Sequence, residues 1–361
     1  MPTGSETANA GASMDDALHD GPLVRAVGLS KLFPIESNLL RRTIGHVRAV
    51  DRVDFEIEAG KTVGLVGESG SGKSTLARLV LRIVEPSSGE VWIDGVDVTK
   101  VSGAALRAVR REVQAVFQDP YSSFDPSATI GASMLEPLET HLQLSSKDRR
   151  ARVTELLDLV GLPAAFALRY PNDVSGGQLQ RAAIARALGI GPKLLVLDEP
   201  VTALDMSTQA QILNLLAVLQ RELGVAYFMI AHDLAIVSHV SDIIAVMYLG
   251  RIVERGPATS IVATPRHPYT EALISAIPVP NPARQRERRR IVLEGDIPSA
   301  SNPPPGCHFH TRCQYAMDIC RTEEPPEFTC ADGTTLECHL HTSGPELAGT
   351  PLAEYAAPSI G

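Results

Sequence analysis

The chain has 361 residues, 44% of them hydrophobic and 21% charged, with a formal net charge of −9 from 33 basic and 42 acidic side chains. That is enough apolar material for two domains, or for one large domain with an appendage. The acidic balance argues against a nucleic-acid partner, which needs a positive footprint. No apolar run approaches the roughly 20 residues of a membrane-crossing helix.

Residues 1–20, MPTGSETANAGASMDDALHD, are small, polar and acidic. They have neither the basic start nor the apolar stretch of a secretory signal, and they read as a disordered leader. A cytoplasmic protein is expected. From there to Ile277, short β-type runs alternate with helical patterns, which predicts a layered α/β domain. KTVGLVG (Lys61–Gly67) is a strand ending in a glycine-rich loop, and STLARLVLRIV then reads as a helix. RARVTELLDLVGL puts Val153, Leu156, Leu157 and Val160 on one helical face closed by Gly161. PKLLVLDEP and GVAYFMIAHD are continuous apolar runs, the pattern of strands buried on both faces. DIIAVMYLGRIVERG predicts a hairpin turning at Leu249-Gly250. After Ile277, PVPNPARQRERRR is proline-rich and then basic, a linker over 278–296. A small C-terminal cysteine-rich module is expected over 297–341, an accessory unit beyond the linker, and 342–361 reads as a disordered tail.

GESGSGKST (Gly67–Thr75) fits G-x-x-x-x-G-K-[ST], with a strand before it and a helix after it. Its candidate phosphate-binding residues are Gly67, Glu68, Ser69, Gly70, Ser71, Gly72, Lys73, Ser74 and Thr75. Glycines allow successive backbone N–H groups to curl around phosphate oxygens at a helix N-terminus. Lys73 would reach the β- and γ-phosphates, and the Ser74 hydroxyl would ligate Mg²⁺. LLVLDEP (Leu194–Pro200) delivers Asp198 and Glu199 to the carboxyl edge of the sheet, where ligands bind in such folds. Asp198 would hold Mg²⁺ through water, and Glu199 would act as the general base on the attacking water. VSGGQLQRAAIARAL starts a second helix at Ser175, Gly176, Gly177 and Gln178, another anion-binding N-terminus. A second cradle makes sense if it completes the site of a different subunit.

Taken together, these motifs resemble the ATP-binding subunits of ABC transporters along roughly Leu23 to Ile277. VSGGQ looks like their signature motif, Gln118 in VFQDP like the Q-loop, ALD (Ala203–Asp205) like the D-loop and His232 in IAHD like the switch histidine. Phe33 in LSKLFP takes the place of the aromatic that stacks on adenine. The resemblance implies a P-loop ABC ATPase with a RecA-like core, an antiparallel β subdomain and a helical subdomain over about 120–187. It implies head-to-tail pairing of two such domains, each sandwiching ATP between its own phosphate loop and the partner's signature. Glu199, His232 and Gln118 are then the catalytic set, with Ser74, Gln118 and Asp198 around Mg²⁺. The signature departs from the commonest pattern at Val174 and Leu179, neither of which should touch phosphate.

FPIESNLLRRTIGHVRAV, VFQDPYSSFDP, EPVTALDMSTQAQILNLL and RHPYTEALISAIPVP narrow the resemblance to the dipeptide/oligopeptide/nickel importers, closer to the second ATPase subunit of the pair. The implied partners are a second ATPase subunit in a heterodimer, two membrane permease subunits and an extracellular substrate-binding protein, with the chain peripheral on the cytoplasmic face. Import of nickel or another small solute is the nearest alternative; a soluble ABC ATPase of DNA repair or translation is a more distant one. RHPYT serves only as a family mark.

All five cysteines lie in the C-terminal segment, at Cys307, Cys313, Cys320, Cys330 and Cys338. A disulfide framework does not suit a cytoplasmic chain, and structural zinc usually takes tight C-x2–4-C pairs, which do not occur here. Iron–sulfur clusters are commonly held by four thiolates at wider spacings. The family resemblance implies a [4Fe-4S] cluster on Cys307, Cys313, Cys320 and Cys338, with Cys330 spare and His308, His310, His339 and His341 outside the ligand set. A reduced, merely packed tail is the alternative.

Overall fold

The computed structural model describes residues 21–37, 42–277, 291–343, 347 and 349–352. The expected leader, most of the basic linker and much of the expected tail lie outside them. Two sheets organise the described chain. The smaller is antiparallel, in the order β2 (Thr43–Ile57), β1 (Val24–Glu36), β4 (Ser88–Ile93) and β5 (Val96–Asp97).

The larger sheet has eight strands. Its parallel part runs β9 (Ile243–Tyr248), β3 (Thr62–Val66), β8 (Ala226–Ala231), β7 (Leu194–Asp198) and β6 (Val113–Val116). Sequence reading placed β3, β7 and β8 within a residue or two, because each is a run of apolar residues too short for a helix. The reason for two-sided apolarity is visible in the packing. Leu195, Leu197, Tyr227 and Met229 face a helical layer, whereas Leu194, Val196, Phe228 and Ile230 face the antiparallel sheet and α1 (Lys73–Val80). Alternate side chains thus enter different cores, and neither face can be polar.

The helical layer is built from α3 (Ile130–His141), α4 (Ser146–Leu159) and α5 (Gly176–Leu188), α2 (Gly103–Glu112) lying earlier beside β6. Val153, Leu156 and Leu157 of α4 are buried as the periodicity predicts. The Ser145 hydroxyl accepts the Asp148 N–H to cap this helix, one of the orphan donors a helix start must satisfy. The hairpin turn also falls where expected: Leu249 and Gly250 both have positive φ, 42° and 82°, joining β9 to β10 (Arg251–Pro257) in the sense that matches strand twist.

The C-terminal segment is not an appended body, contrary to the expectation of a separate module. Strand β12 (Thr335–Glu337) pairs with β10 through Glu254↔Leu336 and Arg255↔Thr335, and β11 (Glu327–Thr329) pairs with β12. The segment therefore extends the main sheet at its β10 edge, which would otherwise present unpaired backbone groups. Phe309 packs with Tyr248 and Tyr269 in a third core, against which Cys307 and Cys313 lie. Composition changes at residue 278, yet the described residues of the C-terminal segment pack against the same sheet and core.

Candidate functional site

Strands β3, β8 and β7 are parallel neighbours, with Val66 opposite Ala231 and Asp198 opposite Ile230. This register brings the residues that follow each strand to one edge: the loop from Gly67, the pair Asp198–Glu199, and His232. The phosphate loop then needs glycine where its backbone passes close to others. At Gly72, φ is +109° and a Cβ would stand 2.1 Å from the Ala49 carbonyl oxygen. Only glycine fits both conditions.

Lys73 is buried, and its Nζ donates to the Gly67 and Glu68 carbonyl oxygens at 2.7 and 2.9 Å. Burial lowers its pKa, opposed by the charges of Glu199, Asp198 and Glu68. The Ser74 hydroxyl donates to Asp198 Oδ1 at 3.1 Å across 124 residues of sequence. Burial raises the Asp198 pKa against that bond. A hydroxyl and a carboxylate so close, both oxygen donors, suit a hard cation such as Mg²⁺. Glu199 has φ of 51° and its Oε2 lies 3.7 Å from His232 Nδ1. A non-glycine residue at positive φ is strained unless its surroundings hold it, and here the Glu199 N–H is tied to the Ile230 carbonyl at 3.0 Å.

A cleft of about 210 Å³ is lined by Val47, Ala49, Ser69, Gly70, Gly72, Lys73, Ser74, Thr75, Glu199 and Ala300. Phosphate-loop N–H groups, a lysine and a carboxylate thus meet in one small space. Among the described residues that line it, none comes from the signature stretch. Ser175 instead caps α5: its hydroxyl accepts the Gln178 N–H, and Gln178 Oε1 accepts the Ser175 N–H. Gly177 faces Thr208 at the start of α6 (Met206–Leu223). Phe33 is half exposed on β1, opposite Val47 of the cleft, with Lys31 Nζ 5.1 Å from its ring centroid. Gln118 is exposed beyond the end of β6. Next to it, Phe117 belongs to the lining of a larger cleft of about 560 Å³ that also takes in Gln114, Ala115, Val116, His141 and Arg186.

The cysteines are partly gathered. Burial raises the thiol pKa of Cys307 to about 11 and of Cys313 to about 12, and lifts that of Cys338 well above the ordinary thiol value. The charges of the neighbouring thiols add to this, Cys320 among them in each case. Cys330 stands apart: burial raises its thiol pKa against the Arg266 charge, with Asp332 and Glu254 adding to the rise and no thiol among the causes. Yet among the described residues no group of three or more His, Cys, Asp or Glu side chains is assembled to hold a metal ion. The expected [4Fe-4S] site on Cys307, Cys313, Cys320 and Cys338 is therefore not supported. Buried thiols held neutral by desolvation pack as small hydrophobes.

RHPYT carries no chemistry legible in sequence alone; its place in the fold gives it a framework. The Glu254 carboxylate, fully buried, accepts the N–H groups of Arg266 and His267 at 2.9 and 3.0 Å. His267 Nδ1 accepts the Tyr269 N–H and caps α7 (Pro268–Ser275), with Pro268 at the first helical position. The Tyr269 hydroxyl then accepts the Glu68 N–H at 2.8 Å. A proline after a capping residue was the available signal for the helix start; its distant partners left none.

The site and the fold define an ATP-binding cassette, and the comparisons agree. The family model for ABC transporters matches residues 50–202, and that for the oligopeptide/dipeptide transporter C-terminal region matches residues 253–320. A probable peptide ABC transporter ATP-binding protein of Sinorhizobium fredii is 49% identical over 338 residues, covering 93% of this chain and 95% of its own. The dipeptide transport ATP-binding protein of Haemophilus influenzae is 46% identical, covering 88% and 96%. Among solved structures, the dimeric post-hydrolysis cassette MJ0796 bound to ADP and Pi aligns with TM-score 0.58 at 30% identity, over 65% of this chain and 98% of that one. The chain belongs to the ABC transporter ATP-binding proteins, in their oligopeptide/dipeptide branch. It is an ABC-type ATPase of the P-loop fold.

Proposed function

We propose that this chain powers peptide import through an ABC transporter, ATP closing a dimer of cassettes and hydrolysis reopening it. The observation that carries the reading is the edge where Ser74 meets Asp198 and Glu199 meets His232 beside the phosphate loop. In this reading Ser74 and Asp198, with Gln118, would hold Mg²⁺, which would supply neutralisation of phosphate charge. Lys73 leaves its loop carbonyls for the β- and γ-phosphates. Glu199 accepts the proton of the attacking water, and His232 orients Glu199 and the γ-phosphate. Phe33 stacks on the base. Ser69 to Thr75 cradle the phosphates with their N–H groups, the Glu68 N–H being taken by the Tyr269 hydroxyl.

The signature's absence from the cleft supports a head-to-tail dimer in which Ser175, Gly176, Gly177 and Gln178 serve the partner's ATP. A second, different ATPase subunit is the expected partner. Among the described residues no helix is long and apolar enough to cross a membrane, so coupling to transport needs two permease subunits, with an extracellular binding protein to deliver the solute. The cleft beside Gln118 is the surface for the permeases, and the chain sits peripherally on the cytoplasmic face. Peptide is favoured over nickel by the C-terminal family match and the relatives' descriptions. The four-thiol iron–sulfur centre rests on resemblance and on thiol proximity alone. Iron and labile sulfide in anaerobically purified protein would establish it, and their lack would remove it.

Glu199→Gln tests the chemistry. Hydrolysis should fall at least about a hundredfold, the scale of a lost general base, while ATP binding persists. Unchanged turnover would remove Glu199 from the role. Co-purification with permease subunits separates transport from a soluble function.

A further inference from the structure

Glu68, second in the phosphate loop, is gripped by two parts of the C-terminal region. Its backbone N–H donates to the Tyr269 hydroxyl at 2.8 Å. Its carboxylate receives both arms of Arg312, Nη1 to Oε2 at 2.6 Å and Nη2 to Oε1 at 3.1 Å. Such a two-pronged pair fixes direction as well as distance. Both donors and acceptors are themselves fixed. The Tyr269 ring lies 4.8 Å from that of Tyr248 and 5.4 Å from that of Phe309. The Arg312 side chain is only 6% exposed and its guanidinium lies 6.0 Å from the Tyr248 ring. Arg312 belongs to the short turn His310–Arg312, directly before Cys313.

The grip acts where the loop leaves β3. A loop N–H spent on Tyr269 is not aimed at phosphate, and the tethered carboxylate limits how Glu68 turns. The next residues, Ser69 and Gly70, line the cleft. On the opposite side the Ala300 carbonyl accepts the Arg48 N–H at 2.9 Å, and Ala300 itself lines the cleft. The cysteine-bearing segment therefore borders the nucleotide space and braces the loop that forms it.

We propose that Arg312 and Tyr269 are positioning residues for the phosphate loop, so that ATP affinity depends on the seating of the C-terminal segment. The proposal rests on the ATP-site reading above. It gives the RHPYT stretch and the cysteine-bearing segment a shared task, holding one loop residue from two sides. An alternative in which Arg312 only secures the tail predicts lost stability with unchanged ATP affinity.

The test uses the full chain and Mg²⁺-ATP binding by titration calorimetry, with urea unfolding of the nucleotide-free protein alongside. Arg312→Gln should weaken ATP binding about tenfold, the equivalent of one good charge-assisted contact. Arg312→Lys should fall between, because an ammonium cannot reproduce the fork. Tyr269→Phe, which keeps the ring packing and loses only the hydroxyl, should also weaken binding. Since Arg312 acts through Glu68, Arg312→Gln should cost nothing further in a Glu68→Gln background. Wild-type affinity in both Arg312→Gln and Tyr269→Phe would overturn the proposal, as would an Arg312 loss that adds in full to that of Glu68→Gln. Lys73→Ala separates the two readings. If it loses ATP while Arg312→Gln and Tyr269→Phe do not, the brace fails alone; if Lys73→Ala also binds normally, the ATP site itself has been misplaced.

Discussion

Gly72→Ala and Gly70→Ala look alike in sequence and differ in the structure. Both glycines have positive φ, 109° at Gly72 and 79° at Gly70. A methyl at Gly70 meets nothing within 4 Å, whereas at Gly72 it would stand 2.1 Å from the Ala49 carbonyl oxygen and 2.9 Å from the Met247 methyl. Gly70→Ala therefore carries only the backbone term, about 1–2 kcal/mol for a non-glycine residue in this region. Gly72→Ala carries that term and a steric one. The Met247 methyl can swing away, but the Ala49 carbonyl belongs to β2 and cannot retreat without disturbing its pairing. Forcing a methyl into packed backbone adds about 1–3 kcal/mol, for a total of about 2–5 kcal/mol. Urea unfolding of the nucleotide-free protein reads the difference without interference from ligand. ATP titration then shows whether the loop survives: Gly72→Ala should bind more weakly than both wild type and Gly70→Ala, because its loop must shift away from the Ala49 carbonyl. Equal midpoints for the two variants would refute the assignment of the Ala49 contact as the constraint on this loop.

Two further outcomes follow from buried groups and from the unfilled half of the ATP site. Burial raises the Glu254 pKa to about 7 from 4.5 against its hydrogen bonds, so the folded protein holds this proton more tightly than the unfolded chain. Its contribution is full below pH 4.5 and is lost as pH rises through 7, so the stability of Glu254→Gln relative to wild type should rise with pH across that window, by up to about 1.4 kcal/mol per unit. Paired denaturation curves at several pH values measure this, and a flat difference would show that Glu254 does not titrate there. Ser175→Ala should leave ATP binding to the single chain near wild type, because Ser175 does not line that chain's cleft, while hydrolysis by the assembled transporter drops. Mixed with a Lys73→Ala chain, it should show partial recovery only if sites are shared between like chains; recovery is not expected if the dimer pairs two different subunits.

Local pattern was enough to locate the strands that carry the chemistry. An apolar run of four to six residues ending in glycine or in Asp-Glu has few ways to fold other than as a buried strand with its last residues at a sheet edge. For that reason the strands leading into Gly67–Thr75 and to Asp198 and Glu199 are legible from local pattern, whereas His232 is reached only through the family resemblance. The signature was legible as a helix start because Ser175 and Gln178 form a reciprocal cap from neighbouring residues alone. The cysteine-bearing segment misled because composition was read as architecture. Proline and arginine after Ile277 suggested a detached module, but β-pairing of Leu336 with Glu254 is long-range and leaves no mark in composition. Thiol spacing likewise could not say whether four cysteines converge into a ligand group.

Sequence by itself pointed to ATP chemistry, through the phosphate-loop pattern between a strand and a helix and through the resemblance that its other motifs carry. Tertiary structure alone decided what those motifs touch. Ser74 reaches Asp198 across 124 positions and Arg312 reaches Glu68 across 244. Such contacts depend on strand order and register in the main sheet, which are set by packing in two cores at once. The C-terminal region thus joined the ATP-binding body of the molecule through contacts that include pairing at a sheet edge and the bidentate Arg312–Glu68 ion pair, neither of which any local rule could place.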